Sequence, residues 1–234
     1  MARILIIEAE ATTRQLLAYD LGAAGHEVIT SATAADGLQI ARDTQPDLIL
    51  SELTLPDGSG TDVCGVLRQE AGIGETLFMI LSAQSDEVDR VRAFENGVDD
   101  YLTKPFSPRE LVLRIRAMLR RSLRSHAQST ITNIGCLRLD TAAYRVWVDG
   151  QEVHLTTTEF QILLALHENF GRVLTREKLI ESLWNEGEID IRTVDAHVRR
   201  LRLRLGAAAN YIKTVRGVGY RLSYERAVQA AGRA

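Results

Sequence analysis

PDLILSELTLPDGSG, residues 46–60, reads as a buried strand that runs out into a loop. An uninterrupted apolar run, 48–50, ends at Ser51 and Glu52, and Pro and Gly residues then interrupt the chain. In parallel α/β sheets, ligands bind in the crevice beyond the carboxyl ends of the strands. Glu52 is therefore a candidate functional residue.

The rest of the first half repeats this strand in alternation with helices. Near-continuous apolar runs predict strands at 3–7, 26–30, 47–51, 77–81 and 99–102, and amphipathic segments predict helices near 11–23, 33–44, 60–69, 86–96 and 107–121. Strands that are apolar throughout indicate a parallel sheet covered on both faces. We therefore expect an α/β domain with a five-stranded, doubly wound parallel sheet.

The second half has the pattern of a smaller α+β domain. Short β segments precede helical stretches near 156–169, 175–183 and 191–205, and the hairpin-like YIKTVRGVGYRL follows them. Between the halves, RRSLRSHAQST loses its apolar periodicity, which indicates a linker. The predicted organisation is a first domain over 1–121, a linker over 122–131, a second domain over 132–225 and a tail over 226–234.

Charge is distributed unevenly between the halves. Residues 1–122 hold 12 Lys and Arg against 19 Asp and Glu, whereas residues 123–234 hold 16 against 12. The net charges are therefore −7 and +4, within a total of −3. A basic second half suggests a polyanionic partner.

Composition argues against several other classes of protein. Hydrophobic residues make up 45% and charged residues 25% of the chain, as in ordinary globular proteins. No apolar run approaches the ~20 residues of a membrane helix, and no signal peptide opens the chain. Cys64 and Cys136 are a lone, widely spaced pair, so we expect no disulfide framework and a reducing, cytoplasmic location. We also expect no metal or other cofactor and no membrane partner.

RTVDAHVRRLRLRLG, residues 192–206, predicts an amphipathic helix with a basic face. Its apolar residues fall within about 40° of Val194 on a helical wheel and form one core-facing stripe: Val194, Val198, Leu201 and Leu205. A basic face alone is often merely solvated. Here a basic hairpin with Arg216 near its tip follows the helix, and this combination is typical of binding to double-stranded DNA.

Taken in order, these segments resemble a known family over nearly the whole chain. The motifs are RILIIEAE, PDLILSELTLPDGSG, MILSAQ, GVDDYLTKPF, LTTTEFQILLAL, RTVDAHVRRLRLRL and TVRGVGYRL. They are similar to those of two-component response regulators of the OmpR/PhoB family, in which a CheY-like receiver precedes a winged helix-turn-helix domain. The resemblance implies a transcription regulator, not an enzyme, whose partners are promoter DNA, RNA polymerase and a second copy of the chain.

The resemblance also assigns DNA contacts to a recognition helix, a wing and two flanking positions. These residues are Arg192, His197, Arg200 and Arg202, then Thr214, Arg216 and Tyr220, and finally Arg176 and Trp184. We expect Arg200 to read base edges and Arg176 to contact the DNA backbone. The loop 184–191 matches the segment through which relatives contact RNA polymerase.

The receiver pocket departs from the family pattern at two positions. A family receiver has two acids after its first strand, a phosphorylatable Asp after the third, Ser or Thr after the fourth and Lys after the fifth, and the acids hold Mg²⁺. The matching residues here, with the aromatic switch residue, are Glu8, Ala9, Glu52, Ser82, Lys104 and Tyr101. One acid is missing, and Glu replaces the nucleophilic Asp.

Both departures argue against phosphorylation. Ala9 removes a charged metal ligand, and Glu52 carries its carboxylate one methylene farther out, where a 1 Å error can cost ~10²-fold in rate. We therefore assign no catalytic residue and no metal site. Glu52 is either inert, by drift or by engineering, or a partial mimic of phosphoaspartate that holds Lys104 and Ser82 in an active-like arrangement; we favour the mimic.

The predicted dimer face is better preserved than the pocket. By resemblance, active receivers pair through their fourth and fifth helices and the strand between them. Charges of both signs match that face: Arg90, Glu95, Asp99, Asp100, Glu110, Arg114 and Arg116. Glu110 and Arg114, one helical turn apart, fit an ordinary intrahelical pair equally well.

Three functions remain open from the sequence. The favoured one is a DNA-binding regulator that acts as a receiver-mediated dimer without aspartyl phosphorylation. The alternatives are a conventional phosphorylation-dependent regulator and an interaction adaptor with vestigial DNA binding. Arg200, Arg202 and Arg216 argue against the adaptor.

Overall fold

The structure, a computed structural model, describes residues 1–70, 72–83, 86–123, 131–141, 143–183 and 191–224. Trp184, the predicted tail and most of the predicted linker lie outside these ranges, so the predicted domain boundaries stay predictions. Among the described helices, none is long and apolar enough to cross a membrane. Cys64 and Cys136 are both free thiols.

The first half alternates strands and helices as the sequence predicts. Its strands are β1 (Arg3–Ile7), β2 (Glu27–Ser31), β3 (Leu48–Glu52), β4 (Thr54–Leu55), β5 (Gly58–Ser59), β6 (Leu77–Ser82) and β7 (Asp100–Thr103). Its helices are α1 (Ala11–Ala23), α2 (Ala34–Thr44), α3 (Gly60–Leu67), α4 (Glu87–Glu95) and α5 (Pro108–Leu123). The five longer strands form a parallel sheet in the order β2-β1-β3-β6-β7. The predicted α/β class is confirmed.

Helices cover this sheet on both faces because its central strands are apolar except at their ends. Ile4 and Ile6 of β1 pack in the core with α1 and α5, whereas Leu5 and Ile7 pack on the other face with α2, α3 and α4. Each fully buried side chain of this size contributes about 1.5–3 kcal/mol. Polar residues are therefore displaced to the strand ends, where the pocket forms.

Side-chain caps fix the starts of the helices that border the pocket. The carboxylate of Glu10 accepts the amide of Thr13 at the start of α1. Ser107 Oγ accepts the amide of Glu110 at 3.0 Å and so caps the start of α5.

The second half forms the expected α+β winged helix. Its strands are β8 (Ile131–Ile134), β9 (Leu137–Asp140), β10 (Arg145–Val148), β11 (Gln151–Val153), β12 (Leu174–Thr175), β13 (Ile212–Val215) and β14 (Gly219–Leu222). Its helices are α6 (Thr157–Glu168), α7 (Arg176–Leu183) and α8 (Ile191–Leu205), followed by a 3-10 turn over Gly206–Tyr211. One sheet has the order β11-β10-β9-β8, and the wing sheet has the order β12-β14-β13.

The two domains pack against each other through α4 and α8. The ring of His197 in α8 meets the ring of Phe94 in α4 edge-on, with 5.4 Å between centroids. Ala196 is buried with the core of the first domain rather than with that of its own domain. The basic helix is therefore covered by the receiver in this conformation.

Candidate functional site

Polar side chains at the ends of β1, β3, β6 and β7 meet at one edge of the parallel sheet. Glu8 follows β1, Glu52 ends β3, Ser82 ends β6 and Lys104 follows β7. Lys104 Nζ lies 2.9 Å from Glu8 Oε2 and 3.0 Å from Glu52 Oε1. The ammonium group thus joins the two carboxylates.

The electrostatics of this cluster follow from burial and from the close pair of acids. Burial raises the pKa of Glu52, and the Glu8 carboxylate adds to the rise while Lys104 opposes it. Burial acts in the same direction on Glu8, but hydrogen bonds with Glu52 and Lys104 outweigh it and lower the pKa of Glu8 overall. Burial lowers the pKa of Lys104, but the two carboxylates more than reverse this. Lys104 is therefore held charged and balances one of the two carboxylate charges.

The predicted switch residues lie beside this cluster. Tyr101 is only 7% exposed, and its hydroxyl shares a hydrogen bond with Ser82. Burial raises the pKa of Tyr101 despite that bond. Ser82 is therefore linked to the aromatic residue, and its carbonyl accepts the Lys104 amide at 2.7 Å.

The donor set does not fit the Mg²⁺ ion that a receiver pocket implies. Ala9 supplies no side-chain ligand, and the Lys104 ammonium lies between Glu8 and Glu52, where a second cation would be repelled. Asp57 does not replace the missing acid, because it accepts two backbone amides at the start of α2 at 2.7 and 2.9 Å. Among the described residues, no group of three or more His, Cys, Asp and Glu side chains could hold a metal ion.

The basic helix α8 has the predicted apolar stripe. The four residues of that stripe are fully buried in the core of the second domain: Val194, Val198, Leu201 and Leu205. His197 lies on the flank of that stripe and was expected by resemblance to contact DNA, but it is 1% exposed. Burial, with the charges of Arg200 and Arg68, lowers the pKa of His197 to about 3, so the ring is neutral.

Arg200 was predicted to lie over base edges, and in this conformation it does not project into solvent. Its Nε donates to Glu159 Oε1 at 2.9 Å, and its Nη1 donates to the backbone carbonyl of Glu95 in α4. Arg199 pairs with the Glu95 carboxylate. A helical wheel assigns a face to these side chains but does not reveal which partner covers it.

Glu159 was missed by the sequence analysis. It is fully buried, and its Oε2 accepts the Thr156 amide at 2.9 Å in a capping box at the start of α6. The Thr-x-x-Glu spacing 156–159 is a signal for such a box and could have identified it. Its other oxygen then remains for Arg200.

A second set of contacts joins the domains at Asp99. Thr158 Oγ1 of α6 donates to Asp99 Oδ1 at 2.6 Å, and the fully buried Arg68 donates to Asp99 Oδ2 at 2.7 Å. Burial raises the pKa of Asp99, with Arg68 and Thr158 opposing. In this conformation Asp99 therefore binds a residue of the second domain and is not an exposed charge.

The other predicted DNA contacts divide into two groups. Arg192, Thr214 and Arg216 are exposed. A cluster of residues lies where α8, α7 and the wing converge, and Thr214 belongs to this cluster as well as to the exposed group. Arg202 donates to Thr214 at 2.8 Å. Two further members of the cluster, Arg176 and Tyr220, share an acidic partner, Asp195, which the sequence analysis passed over.

The predicted dimer face is partly used within the chain. Glu95 and Asp99 contact the second domain, as described above. Arg114 pairs with Glu110 at 3.0 Å and with Asp100 at 3.7 Å, so the intrahelical alternative for Glu110 and Arg114 applies here. Asp100 is 3% exposed, which corrects its placement on an open surface. Arg90 is half-buried and Arg116 is exposed.

A receiver-type sheet followed by a winged helix defines a response regulator that binds DNA. Residues 4–116 match the family model of the response regulator receiver domain, and residues 150–222 match that of transcriptional regulatory protein, C terminal. The chain belongs to the OmpR/PhoB family of response regulators.

Similar proteins span the whole chain. It is 37% identical over 222 residues to the phosphate regulon transcriptional regulatory protein PhoB of Pseudomonas aeruginosa, covering 94% of this chain and 96% of that one. It is 38% identical over 232 residues to the alkaline phosphatase synthesis transcriptional regulatory protein PhoP of Bacillus subtilis, with the same coverage. A mutant of RitR superposes with a TM-score of 0.77 at 30% identity, covering 96% of this chain and 100% of that one. A match of this extent includes both domains in similar relative positions.

Proposed function

We propose that this response regulator controls transcription without aspartyl phosphorylation, with Glu52 in place of the phosphoacceptor Asp, and that it acts on promoter DNA as a receiver-mediated homodimer. The observation that carries the proposal is the Lys104 ammonium bonded to both Glu8 and Glu52. A residue of the chain itself thus contacts both the nucleophile position and the remaining acid.

Phosphoryl transfer at this pocket would meet two obstacles. Charge on the transferred group needs a metal ion beside the attacking carboxylate, and Ala9 leaves the pocket without the second acid. Glu52 is also longer than Asp, which misaligns its oxygen for in-line attack. We infer that the protein is not an enzyme and has no phosphotransfer or autophosphatase cycle.

The packing of α8 on α4 supports control by domain opening. DNA cannot reach the residues of α8 that contact Glu95 and Phe94 until the domains separate. Separation would also release Glu95 and Asp99 on the predicted dimer face. The regulator we propose therefore exchanges a closed monomer for an open dimer, and Glu52 acts as a permanent, partial mimic of phosphoaspartate rather than as an acceptor.

Two further partners belong to this proposal. RNA polymerase would be contacted through the segment 184–191, most of which lies outside the described residues. Free thiols at Cys64 and Cys136 suit the reducing cytoplasm, where promoter DNA is found.

Incubation with acetyl phosphate and Mg²⁺, followed by phosphate-affinity electrophoresis, tests phosphorylation independence. The parent protein should show no shifted band. The matched control is the double variant Ala9→Asp/Glu52→Asp, which restores both acids of the family pattern and should become labelled. A labelled parent would favour the conventional phosphorylation-dependent regulator.

Selection from a random-sequence duplex library tests DNA binding. The parent should enrich one sequence and bind it with an affinity that falls steeply as salt rises. Arg216→Ala should weaken that binding, because Arg216 is exposed at the wing tip. Failure to enrich any sequence would favour the adaptor with vestigial DNA binding.

A further inference from the structure

Asp195 connects three elements of the DNA-binding domain. Its Oδ1 accepts Arg176 Nε at 2.7 Å and the Tyr220 hydroxyl at 2.6 Å. Asp195 lies in α8, Arg176 begins α7 and Tyr220 lies in β14 of the wing. One carboxylate oxygen therefore joins the recognition helix to the helix before it and to the wing.

Cation–π contacts reinforce this junction. The guanidinium of Arg176 is 4.9 Å from the centre of the Tyr220 ring, and that of Arg202 is 5.5 Å from it. Arg202 Nη2 also donates to Thr214 Oγ1 and to the carbonyl of Ile212, each at 2.8 Å. Both strands of the wing are therefore tied to α8 through side chains.

The charge of Asp195 distinguishes this cluster from a set of direct DNA contacts. A carboxylate on a surface that meets phosphates opposes binding, yet Asp195 is 45% exposed. Its partner Tyr220 is only 4% exposed, so the hydroxyl lies within the domain. The Asp195 carboxylate accepts hydrogen bonds from a guanidinium and a phenol at once, and its negative charge strengthens both. An acid at this position is therefore consistent with a structural role.

We propose that Asp195 is a positioning residue that fixes the wing against the recognition helix, so that Arg216 and α8 reach adjacent grooves of one DNA site together. The inference rests on the proposed DNA-binding function and deepens it. Preorganisation of this kind raises affinity only where both elements must fit at once. It should therefore strengthen binding to the selected site and leave non-specific binding nearly unchanged.

The test compares Asp195→Asn and Tyr220→Phe with the parent, all as full-length chains. Each is titrated with the duplex that the parent selects from the random library and with a scrambled duplex, at several salt concentrations. The ratio of the two affinities should fall about tenfold for Asp195→Asn, which loses the negative charge that strengthens both hydrogen bonds, and about fivefold for Tyr220→Phe, which loses the hydroxyl donor. Domain opening affects both duplexes equally and cancels in the ratio.

Removal of a negative charge is controlled by Glu177→Gln. This variant removes an exposed carboxylate beside Arg176 but leaves Asp195 in place, so both affinities should change together and the ratio should not. Hydroxyl-radical footprinting provides a second measurement. Minor-groove protection beside the recognition half-site should weaken in Asp195→Asn and Tyr220→Phe, while the salt slope stays that of the parent.

Two results would overturn the positioning role. Equal losses on both duplexes would mean that the cluster contacts phosphates or merely holds the fold. An unchanged ratio in Tyr220→Phe with an altered base preference in Asp195→Asn would mean that Asp195 reads a base directly. If the parent selects no sequence at all, the proposed function fails before this inference is tested.

Discussion

Lys104 is the residue on which the receiver pocket depends, because its ammonium contacts both carboxylates of a close pair. Its substitution in Lys104→Met leaves Glu8 and Glu52 facing each other with their main counter-charge removed. Breaking a fully buried pair costs about 3–5 kcal/mol, and Lys104 is 25% exposed, so we expect a loss of about 1–3 kcal/mol in the free energy of unfolding at pH 7.

The pH dependence of Lys104→Met identifies the cause of that loss. Without the ammonium, the pKa of Glu52 in the folded protein should rise further above its unfolded value, so the destabilisation should be largest above the folded pKa and shrink as the pH falls through it. Thermal unfolding at pH 7 and pH 5 measures this difference. Lys104→Met/Glu52→Gln should recover most of the stability at pH 7; equal losses at both pH values would contradict this account of the pocket.

At the scale of elements, apolar periodicity predicted most of what packing decides. The predicted strand 3–7 matches β1, and the predicted helix 191–205 matches α8, because uninterrupted or stripe-like burial leaves a clear signal. The partners of polar side chains were harder to predict from the sequence. Asp99 was placed on a dimer face and Arg200 over DNA bases, but each is held by a residue far away in the sequence, Thr158 and Glu159 respectively. Periodicity contains no information on such long-range pairs.

The contact between α4 and α8 should respond to pH through His197. Its pKa is lowered to about 3 by burial and by the charges of Arg200 and Arg68, and opening should return it towards about 6.5. Above about pH 6.5, neutral His197 favours the closed form. This preference is lost as the pH falls below about 6.5. The open-to-closed ratio should rise about fourfold between pH 8 and pH 6, measured as radius of gyration by small-angle scattering.

His197→Phe is the control for that measurement. It keeps an aromatic ring against Phe94 but cannot be protonated, so the His197 contribution should disappear. Burial also raises the pKa of Asp99, and protonation of Asp99 would favour the closed form at low pH. That opposite contribution is also present in His197→Phe. Subtracting the pH profile of His197→Phe from that of the parent therefore leaves the contribution of His197. Identical pH profiles for the two proteins would exclude His197 as the titrating group.

At the scale of the whole molecule, the receiver face that packs on the second domain overlaps the face proposed for the dimer. Glu95 and Asp99 contact the chain's own second domain in the closed form, and both belong to the face proposed for the dimer. In the mechanism we propose, DNA and a second receiver therefore favour the same open form. Two ligands that favour one form must strengthen each other's binding by the same factor.

Thr158→Val should reveal this linkage. The variant loses the hydrogen bond to Asp99 in the closed form and leaves the predicted dimer face unaltered, so opening should become easier by about 1.4 kcal/mol, or tenfold. In a mostly closed protein, the DNA affinity of one protomer should then rise about tenfold and the dimer association constant about a hundredfold, because both protomers of a dimer must open, with no phosphodonor present. DNA titration and sedimentation measure the two, and Thr54→Val, the same change at an exposed position of β4, should alter neither.

Duplexes with two half-sites about one helical turn apart should promote dimers of both proteins. A rise in DNA affinity without a rise in dimerisation would show that the dimer uses another surface.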